Sequence, residues 1–428
     1  MSPTVAIATL GCKTNQFESA ALEEQLHAAG YTTVQFESGA DLMVVNTCTV
    51  TAATDAQSRN LIRRARRLNP ACRVVVTGCY AQINPQELAA LPGVSVVLGN
   101  GEKNAFLAHL RVDRPHVAVS DIRAVGTAQP LEISTFADRS RAFVQIQNGC
   151  DAFCSYCIIP YARGASRSVP ADDVVRQVRT LTAKGYPEIV LTGIHIGGYG
   201  VDLTADMTLV ELLKRLLDET DARRIRLGSI EPTEISPALI DLVADSAVIC
   251  PHFHIPLQSG DDNILRRMNR HYDTGRFRAL ITSIRERLPD AAIGLDVISG
   301  FPGETAAEHR NTLEFIETLA VSHLHVFPFS RRPGTPAAQL PAQLSGAVKK
   351  ERAAQLRELG DRSWQRYAAR FVGAQLEVVV EGGTLRKGLS RNYLSVSVAG
   401  ADASVGRAVI VRIDGVDGEL LRGTLVDS

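Results

Sequence analysis

The sequence predicts an α/β chain in three parts: an N-terminal open, mostly parallel α/β sheet, a central partial (β/α)6 barrel, and a small antiparallel β-barrel at the C-terminus. Three observations carry that reading. Strand-length apolar runs alternate with helical periodicity over residues 5–109, six further strand–helix units follow over 141–338, and the last stretch alternates apolar and polar residues between glycine-bearing turns. At 428 residues the chain is too long for one ordinary core, so two or three domains are expected.

In the first part, residues 5–10, 41–46, 73–78 and 94–98 read as short buried strands, with helices at 18–29, 52–68 and 85–91 between them. That alternation makes an open parallel sheet, whose ligands bind beyond the carboxyl ends of the strands. Residues 111–140 have weak periodicity and several turn residues, and read as a connection. The second series has strands at 143–147, 188–192, 224–228, 253–256, 293–298 and 323–328. Function in such barrels sits at the C-terminal strand ends. Residues 345–371 form a long charged helix that reads as a domain connector. Strands at 375–380, 394–398, 408–413 and 420–426 close the chain as a small barrel. The expected domains are 1–112, 136–366 and 370–428.

Composition narrows the function. Lys plus Arg and Asp plus Glu both total 46, so net charge does not mark a general polyanion binder, and any such contact must be a local patch. The strongest asymmetry is 59–67, which holds five arginines. On a helix, Arg59, Arg63, Arg66 and Arg67 share one side, which favours a phosphate contact. The N-terminus lacks a basic leader and no apolar run is long enough to span a bilayer, so a cytoplasmic location with no membrane partner is expected. Eight cysteines in such a chain favour metal ligation over a disulfide framework.

Three of them stand as C-x3-C-x2-C: Cys150, Cys154 and Cys157, directly after the strand at 143–147. Thiolates suit iron–sulfur clusters, and three on a four-iron cube leave one iron open to a small chelating molecule. Cys12, Cys48 and Cys79 each follow a predicted strand of the N-terminal sheet, so parallel topology brings them to one edge despite their separation in sequence. Structural zinc wants four ligands in a closed tetrahedron, and each set offers three, which argues against a non-catalytic RNA-binding protein with a structural metal. Cys72 and Cys250 fall outside both sets and read as structural thiols.

The Cys150 to Cys157 run, with Tyr156 before its third cysteine, resembles the radical S-adenosylmethionine (SAM) superfamily. Its members bind SAM at the open iron and cleave it to a 5'-deoxyadenosyl radical. With Cys12, Cys48 and Cys79, the chain resembles the radical SAM methylthiotransferases over essentially its whole length, and the C-terminal part resembles a TRAM domain, an OB-like RNA-binding module. The blocks at 11–16, 46–51 and 157–164 are most similar to the MtaB-like branch, which methylthiolates N6-threonylcarbamoyladenosine at position 37 of tRNA. Related branches act on isopentenyladenosine-37 of tRNA or on a ribosomal-protein aspartate.

The resemblance implies two [4Fe-4S] clusters: a SAM cluster on Cys150, Cys154 and Cys157, and an auxiliary cluster on Cys12, Cys48 and Cys79. It also implies SAM as cofactor, tRNA as substrate, a reductant such as flavodoxin or ferredoxin, and a monomer. Expected contacts to SAM or substrate are Tyr156, Gly193, Ser229, Glu231, Gln258 and Asp296. Gly300 to Gly303 read equally well as a turn. His195, His252 and His254 read as hydrogen-bonded core residues rather than ligands. Arg386, Lys387, Arg391, Arg407, Arg412 and Arg422 in the last domain are offset by acids and form no clear basic stripe.

Overall fold

The computed structural model describes residues 2–128, 130–136, 139–203, 206–382, 387–399 and 404–426. The chain forms two compact units: Met1–Thr135 with Gln145–Gln177 and Ser330–Ala338, and Phe136–Val144 with Val178–Phe329 and Gln339–Ser428.

The first unit is built on β1 (Thr4–Thr9), α1 (Lys13–Ala28), β2 (Thr32–Thr33), β3 (Leu42–Thr47), α2 (Ala52–Leu68), β4 (Arg73–Gly78), α3 (Cys79–Ile83), α4 (Pro85–Ala89), β5 (Val94–Leu98), α5 (Phe106–Leu110) and β6 (His116–Ala118). The strands pair in parallel in the order β2-β1-β3-β4-β5-β6. A parallel sheet covered on both faces needs apolar side chains at successive positions. Leu42, Val44, Val75 and Val96 accordingly pack with Leu22, Leu26 and Phe106. Met43, Val45, Val74 and Val76 pack on the other face with Ile62, Ala65 and Leu88.

Two expectations change here. Helix α1 begins at Lys13 rather than 18, because Cys12 stands at its N-cap and its first turn carries no apolar signal. The segment expected to be pure connection supplies β6, a three-residue edge strand too short to show periodicity.

The chain continues through β7 (Arg141–Gln145), β8 (Gln147–Asn148), α6 (Ile159–Arg163), β9 (Arg167–Ser168) and α7 (Ala171–Ala183). Strands β8 and β9 pair antiparallel, and the cysteine run and α6 lie between them in sequence.

The second unit holds β10 (Glu188–Thr192), α8 (Leu209–Glu219), β11 (Ile225–Leu227), α9 (Pro237–Asp245), β12 (His252–Gln258), α10 (Asp262–Arg267), α11 (Thr274–Arg287), β13 (Ala292–Ser299), α12 (Ala306–Thr318) and β14 (His323–Pro328). They make two parallel three-stranded sheets, β11-β10-β7 and β12-β13-β14, joined by single bridges Ile225 to Ile249 and Ser229 to His254. This is the expected partial barrel, thinned at the β11/β12 seam. Helix α13 (Gly346–Ala369) is more than a connector. It packs on the barrel, and a Cβ on its Gly360 would stand 3.2 Å from Leu324 of β14.

The last domain closes as β15 (Gln375–Val380), β16 (Lys387–Ser390), β17 (Ser395–Ala399), β19 (Leu420–Leu425) and β18 (Ala408–Asp417). Strand β16 was not foreseen, and the β17/β19 pairing is parallel, so the barrel is not wholly antiparallel. Closure uses two non-sequential contacts, β15 with β18 antiparallel and β17 with β19 parallel; an odd number of strands cannot close with every pair antiparallel.

Candidate metal centres

The first unit places Cys48 and Cys79 directly after β3 and β4 and Cys12 three residues after β1, and these strands are neighbours in the sheet. Register aligns Thr9 with Asn46 and Thr47 with Gly78, so the three loops leave from one edge. Side chains lace that edge together. Asn15 donates to the carbonyls of Leu10 at 2.7 Å and Thr47 at 3.1 Å. Asn46 donates to the Asn15 carbonyl and to Ser19 Oγ, both at 2.9 Å. Thr47 Oγ1 donates to the Thr77 carbonyl at 2.6 Å. Gly11, with φ +95°, passes so close to Cys48 that a Cβ there would stand 2.9 Å from its Sγ, so a side chain at this turn would push into the thiol set.

These residues fit an iron–sulfur cluster. Burial, then the neighbouring Cys79 and Cys12, push the Cys48 thiol up to about 11, so this thiol ionises only with positive charge beside it. Among the described residues, only His254, Asp296 and His325 bring three ligand atoms within 4.8 Å of one another. Each cysteine triplet offers three thiols, one short of the four ligands of a closed structural zinc site. A four-iron cube instead spreads its thiolates over separate irons.

Around Cys79 lies a buried polar network that sequence reasoning missed. Arg163 ends α6, six positions past Cys157, and is fully buried. Its five N–H donors meet five acceptors: Cys79 Sγ at 3.3 Å from Nε, Glu18 Oε1 at 2.5 Å and Asn148 Oδ1 at 3.2 Å from Nη1, and Asn15 Oδ1 at 2.5 Å and Glu18 Oε2 at 3.1 Å from Nη2. Lys103, also buried, donates to Glu18 and to Asn100 Oδ1 at 2.8 Å. Burial alone would raise the Glu18 carboxyl, but Arg163 and Lys103 outweigh it and hold it at about 2. Arg163 stands in the quoted block at 157–164, whereas nothing local marks Glu18 or Lys103.

The run Cys150 to Cys157 is shaped by its backbone. Gly149 has φ +77°, and a Cβ there would stand 1.8 Å from the Ala165 carbonyl oxygen. Cys150 N–H donates to the Gly164 carbonyl at 3.0 Å, Cys157 N–H to the Cys154 carbonyl at 2.9 Å, and Phe153 takes a left-handed φ of 44°. The segment Ser330–Ala338 ties this run to the sheet edge. Ala337 N–H donates to the Ser155 carbonyl at 2.7 Å, while Arg332 donates to Thr49 Oγ1 at 2.6 Å and Asp55 at 2.7 Å, next to Cys48. Cys72 is buried and donates to the Ala65 carbonyl at 3.7 Å, and Cys250 is buried in the second unit, as structural thiols should be.

In the second unit, Gly193 follows β10, Ser229 and Glu231 follow β11, and Gln258 ends β12, all at C-terminal strand ends. Glu231 is paired with Arg270, which also donates to Tyr272 at 3.1 Å, while Tyr272 donates to the carbonyls of Pro256 and Leu257 at 2.8 Å. Gln258 is buried with φ +66°, a strained conformation for glutamine. Asp296 lies mid-strand, paired with His254 at 2.8 Å and His325 at 3.4 Å. Burial would raise its carboxyl, but the two histidines hold it below the usual carboxylate range. His254 is thus hydrogen-bonded as expected, His195 pairs with Glu234 at 2.7 Å, and His252 stacks on Tyr393 at 4.1 Å. His325 was not foreseen.

The arginine cluster is less uniform than its spacing. Arg59 donates to Tyr80 at 2.5 Å and Glu87 at 3.2 Å, Arg66 donates to the carbonyls of Pro70 and Cys72, and Arg64 pairs with Glu37. Arg63 and Arg67 lie exposed on α2. In the last domain Arg391 pairs with Glu377 and Arg412 with Asp414, in line with the absence of a basic stripe. Arg386 lies outside the described residues.

A partial β/α barrel and a three-cysteine run define a radical SAM enzyme, and residues 144–316 match the Radical SAM superfamily. Residues 4–99 match Uncharacterized protein family UPF0004. The chain is 41% identical to the threonylcarbamoyladenosine tRNA methylthiotransferase MtaB of Bacillus subtilis, covering 96% of this chain and 93% of that one. It is 39% identical to the MtaB of Aquifex aeolicus, over 96% and 100%. It is 32% identical to a tRNA-2-methylthio-N(6)-dimethylallyladenosine synthase of Desulforamulus reducens, over 98% and 95%. The radical SAM methyltransferase TsrM of Kitasatospora setae shares the fold, with TM-score 0.58 at 19% identity over 78% of this chain and 75% of that one. The chain belongs to the MtaB family of radical SAM methylthiotransferases.

Proposed function

We propose that this chain adds a methylthio group to C2 of N6-threonylcarbamoyladenosine at position 37 of tRNA, using SAM and two [4Fe-4S] clusters. The observation that carries this reading is the second cysteine set: three thiols brought to one edge of the sheet by the adjacent strands β1, β3 and β4. When bound, the SAM cluster supplies reductive SAM cleavage and the auxiliary cluster supplies a sulfur site.

The chain's own residues hold and orient these groups. Cys150, Cys154 and Cys157 are the proposed SAM-cluster ligands, and Cys12, Cys48 and Cys79 the auxiliary ligands. Tyr156, Gly193, Ser229, Glu231, Gln258 and Asp296 are proposed contacts to SAM or substrate. The pairing of Glu231 with Arg270 keeps that carboxylate oriented, and the strained backbone at Gln258 is typical of a binding position. Arg63 and Arg67 are the strongest proposed contacts to tRNA phosphates; Arg59 and Arg66 join them only by giving up partners within the protein. The proposed domains are 1–112, 136–366 and 370–428. No helix among the described residues is long and apolar enough to cross a membrane. A cytoplasmic monomer served by a flavodoxin or ferredoxin completes the reading.

Anaerobic turnover with threonylcarbamoyladenosine-bearing tRNA, SAM and reductant should yield 2-methylthio-N6-threonylcarbamoyladenosine together with 5'-deoxyadenosine, read by mass spectrometry of digested nucleosides. Methylthiolation of isopentenyladenosine-37 or of a ribosomal-protein aspartate in its place would reassign the substrate.

A further inference from the structure

Arg163 belongs by sequence to the SAM-cluster segment and by contact to the other cysteine set. Its Nε donates to Cys79 Sγ at 3.3 Å, and its two Nη atoms clasp both oxygens of Glu18. Lys103 joins the same carboxylate. Two buried cations therefore meet one buried anion, leaving positive charge that the network itself does not neutralise. Such a surplus is unfavourable in a dry interior unless an anion lies beside it. A cube held by three thiolates is an anion, and adding an electron makes it more so.

We infer that Arg163 and Lys103 are the counter-charge of the auxiliary cluster, with Arg163 setting its reduction potential from a segment that also carries the SAM-cluster cysteines. This rests on the reading of Cys12, Cys48 and Cys79 as cluster ligands. Arg163 is a positioning residue: it touches a ligand sulfur, and hydrogen bonds to cluster sulfurs together with nearby charge raise the potential. Placed where it is, it couples the two halves of the enzyme's cluster chemistry, because its contact with Cys79 forms only when α6 is docked on the sheet edge.

The test uses the full-length chain with Cys150, Cys154 and Cys157 replaced by Ala, so that one cluster remains after anaerobic reconstitution. Its midpoint potential is measured by redox titration followed by electron paramagnetic resonance. Arg163→Gln should lower the midpoint enough to raise the oxidised-to-reduced ratio at a set potential about tenfold, or about 59 mV for one electron. Lys103→Met, which leaves the Cys79 contact in place, should shift it in the same direction. Arg163→Lys keeps the charge and should shift it less than Arg163→Gln. Unmoved midpoints in Arg163→Gln and Lys103→Met at full iron content would overturn the inference, and if Arg163→Gln fails to fold, Lys103→Met decides alone. Failure of the parent triple variant to take up about four irons per chain would instead remove the cluster assignment on which the inference stands.

Discussion

Arg332 donates to Asp55 at 2.7 Å although 277 residues separate them, and both side chains are buried or nearly so. The same guanidinium reaches Thr49, next to Cys48, while the segment's Ala337 holds the Ser155 carbonyl. A segment of nine residues, Ser330–Ala338, thus braces the loop after Cys48 and the Cys150–Cys157 run.

Arg332→Ala should therefore destabilise the first unit by about 3 to 5 kcal/mol, because Asp55 is left buried with its charge uncompensated. Urea unfolding followed by circular dichroism checks this. A loss below about 1 kcal/mol would mean that solvent reaches the pair. Arg332→Ala, Asp55→Asn together should cost less than Arg332→Ala alone.

Removing one cysteine set should leave the other cluster. Replacing Cys12, Cys48 and Cys79 by Ala should lower iron from roughly eight to roughly four per chain. That variant should still form 5'-deoxyadenosine but no methylthio nucleoside. Replacing Cys150, Cys154 and Cys157 should remove about four irons and both products. Iron assay and nucleoside mass spectrometry separate these outcomes.

In the second unit Glu188 is fully buried between Arg226, Arg224 and Arg141. Burial alone would raise its carboxyl, but the arginines outweigh it and hold it at about 2, down from 4.5. A depressed carboxylate contributes stability that is complete above its unfolded value and lost as pH falls through the folded one. The contribution should therefore be intact at pH 7 and decline between about pH 4.5 and about pH 2. Glu188→Gln should lose about 3 to 5 kcal/mol at pH 7 by stranding the arginines, with the gap to wild type narrowing as pH drops through that window. Thermal melting against pH tests the sign; a gap that widens on acidification would contradict it.

Arg63→Glu, Arg67→Glu together should weaken tRNA binding about tenfold at moderate salt and flatten the salt dependence by roughly two phosphate contacts. Filter binding across a salt series provides both values. An unchanged slope would place the tRNA elsewhere on the molecule.

Gln258→Ala should weaken SAM binding several-fold, since the left-handed backbone at the end of β12 aims that side chain by strain that alanine does not repay with contacts. Equilibrium dialysis with the reconstituted enzyme measures it, and unchanged affinity would leave the strain a turn feature only.

Much of this was legible along the chain. Strands 73–78, 94–98, 188–192 and 323–328 and helix 52–68 lie where apolar periodicity puts them; in 73–78, 94–98 and 188–192 burial demands near-continuous apolar runs. Short edge elements such as β6 and β16 carry too few residues to produce a pattern. Spacing also misjudged the arginine face, since helical geometry says which residues share a side but not which of them meet Tyr80, Glu87 or a carbonyl.

By itself the sequence determined the two cysteine triplets, the order of the three parts and the family, because local spacing and hydrophobic period are properties of neighbouring residues. Only the tertiary structure decided that Arg163 would meet Glu18 across 145 positions, that Arg332 would meet Asp55, and that Asp296 would stand between His254 and His325. Those contacts depend on strand order, loop closure and the need of every buried charge for a partner, and no local pattern encodes which partner it finds.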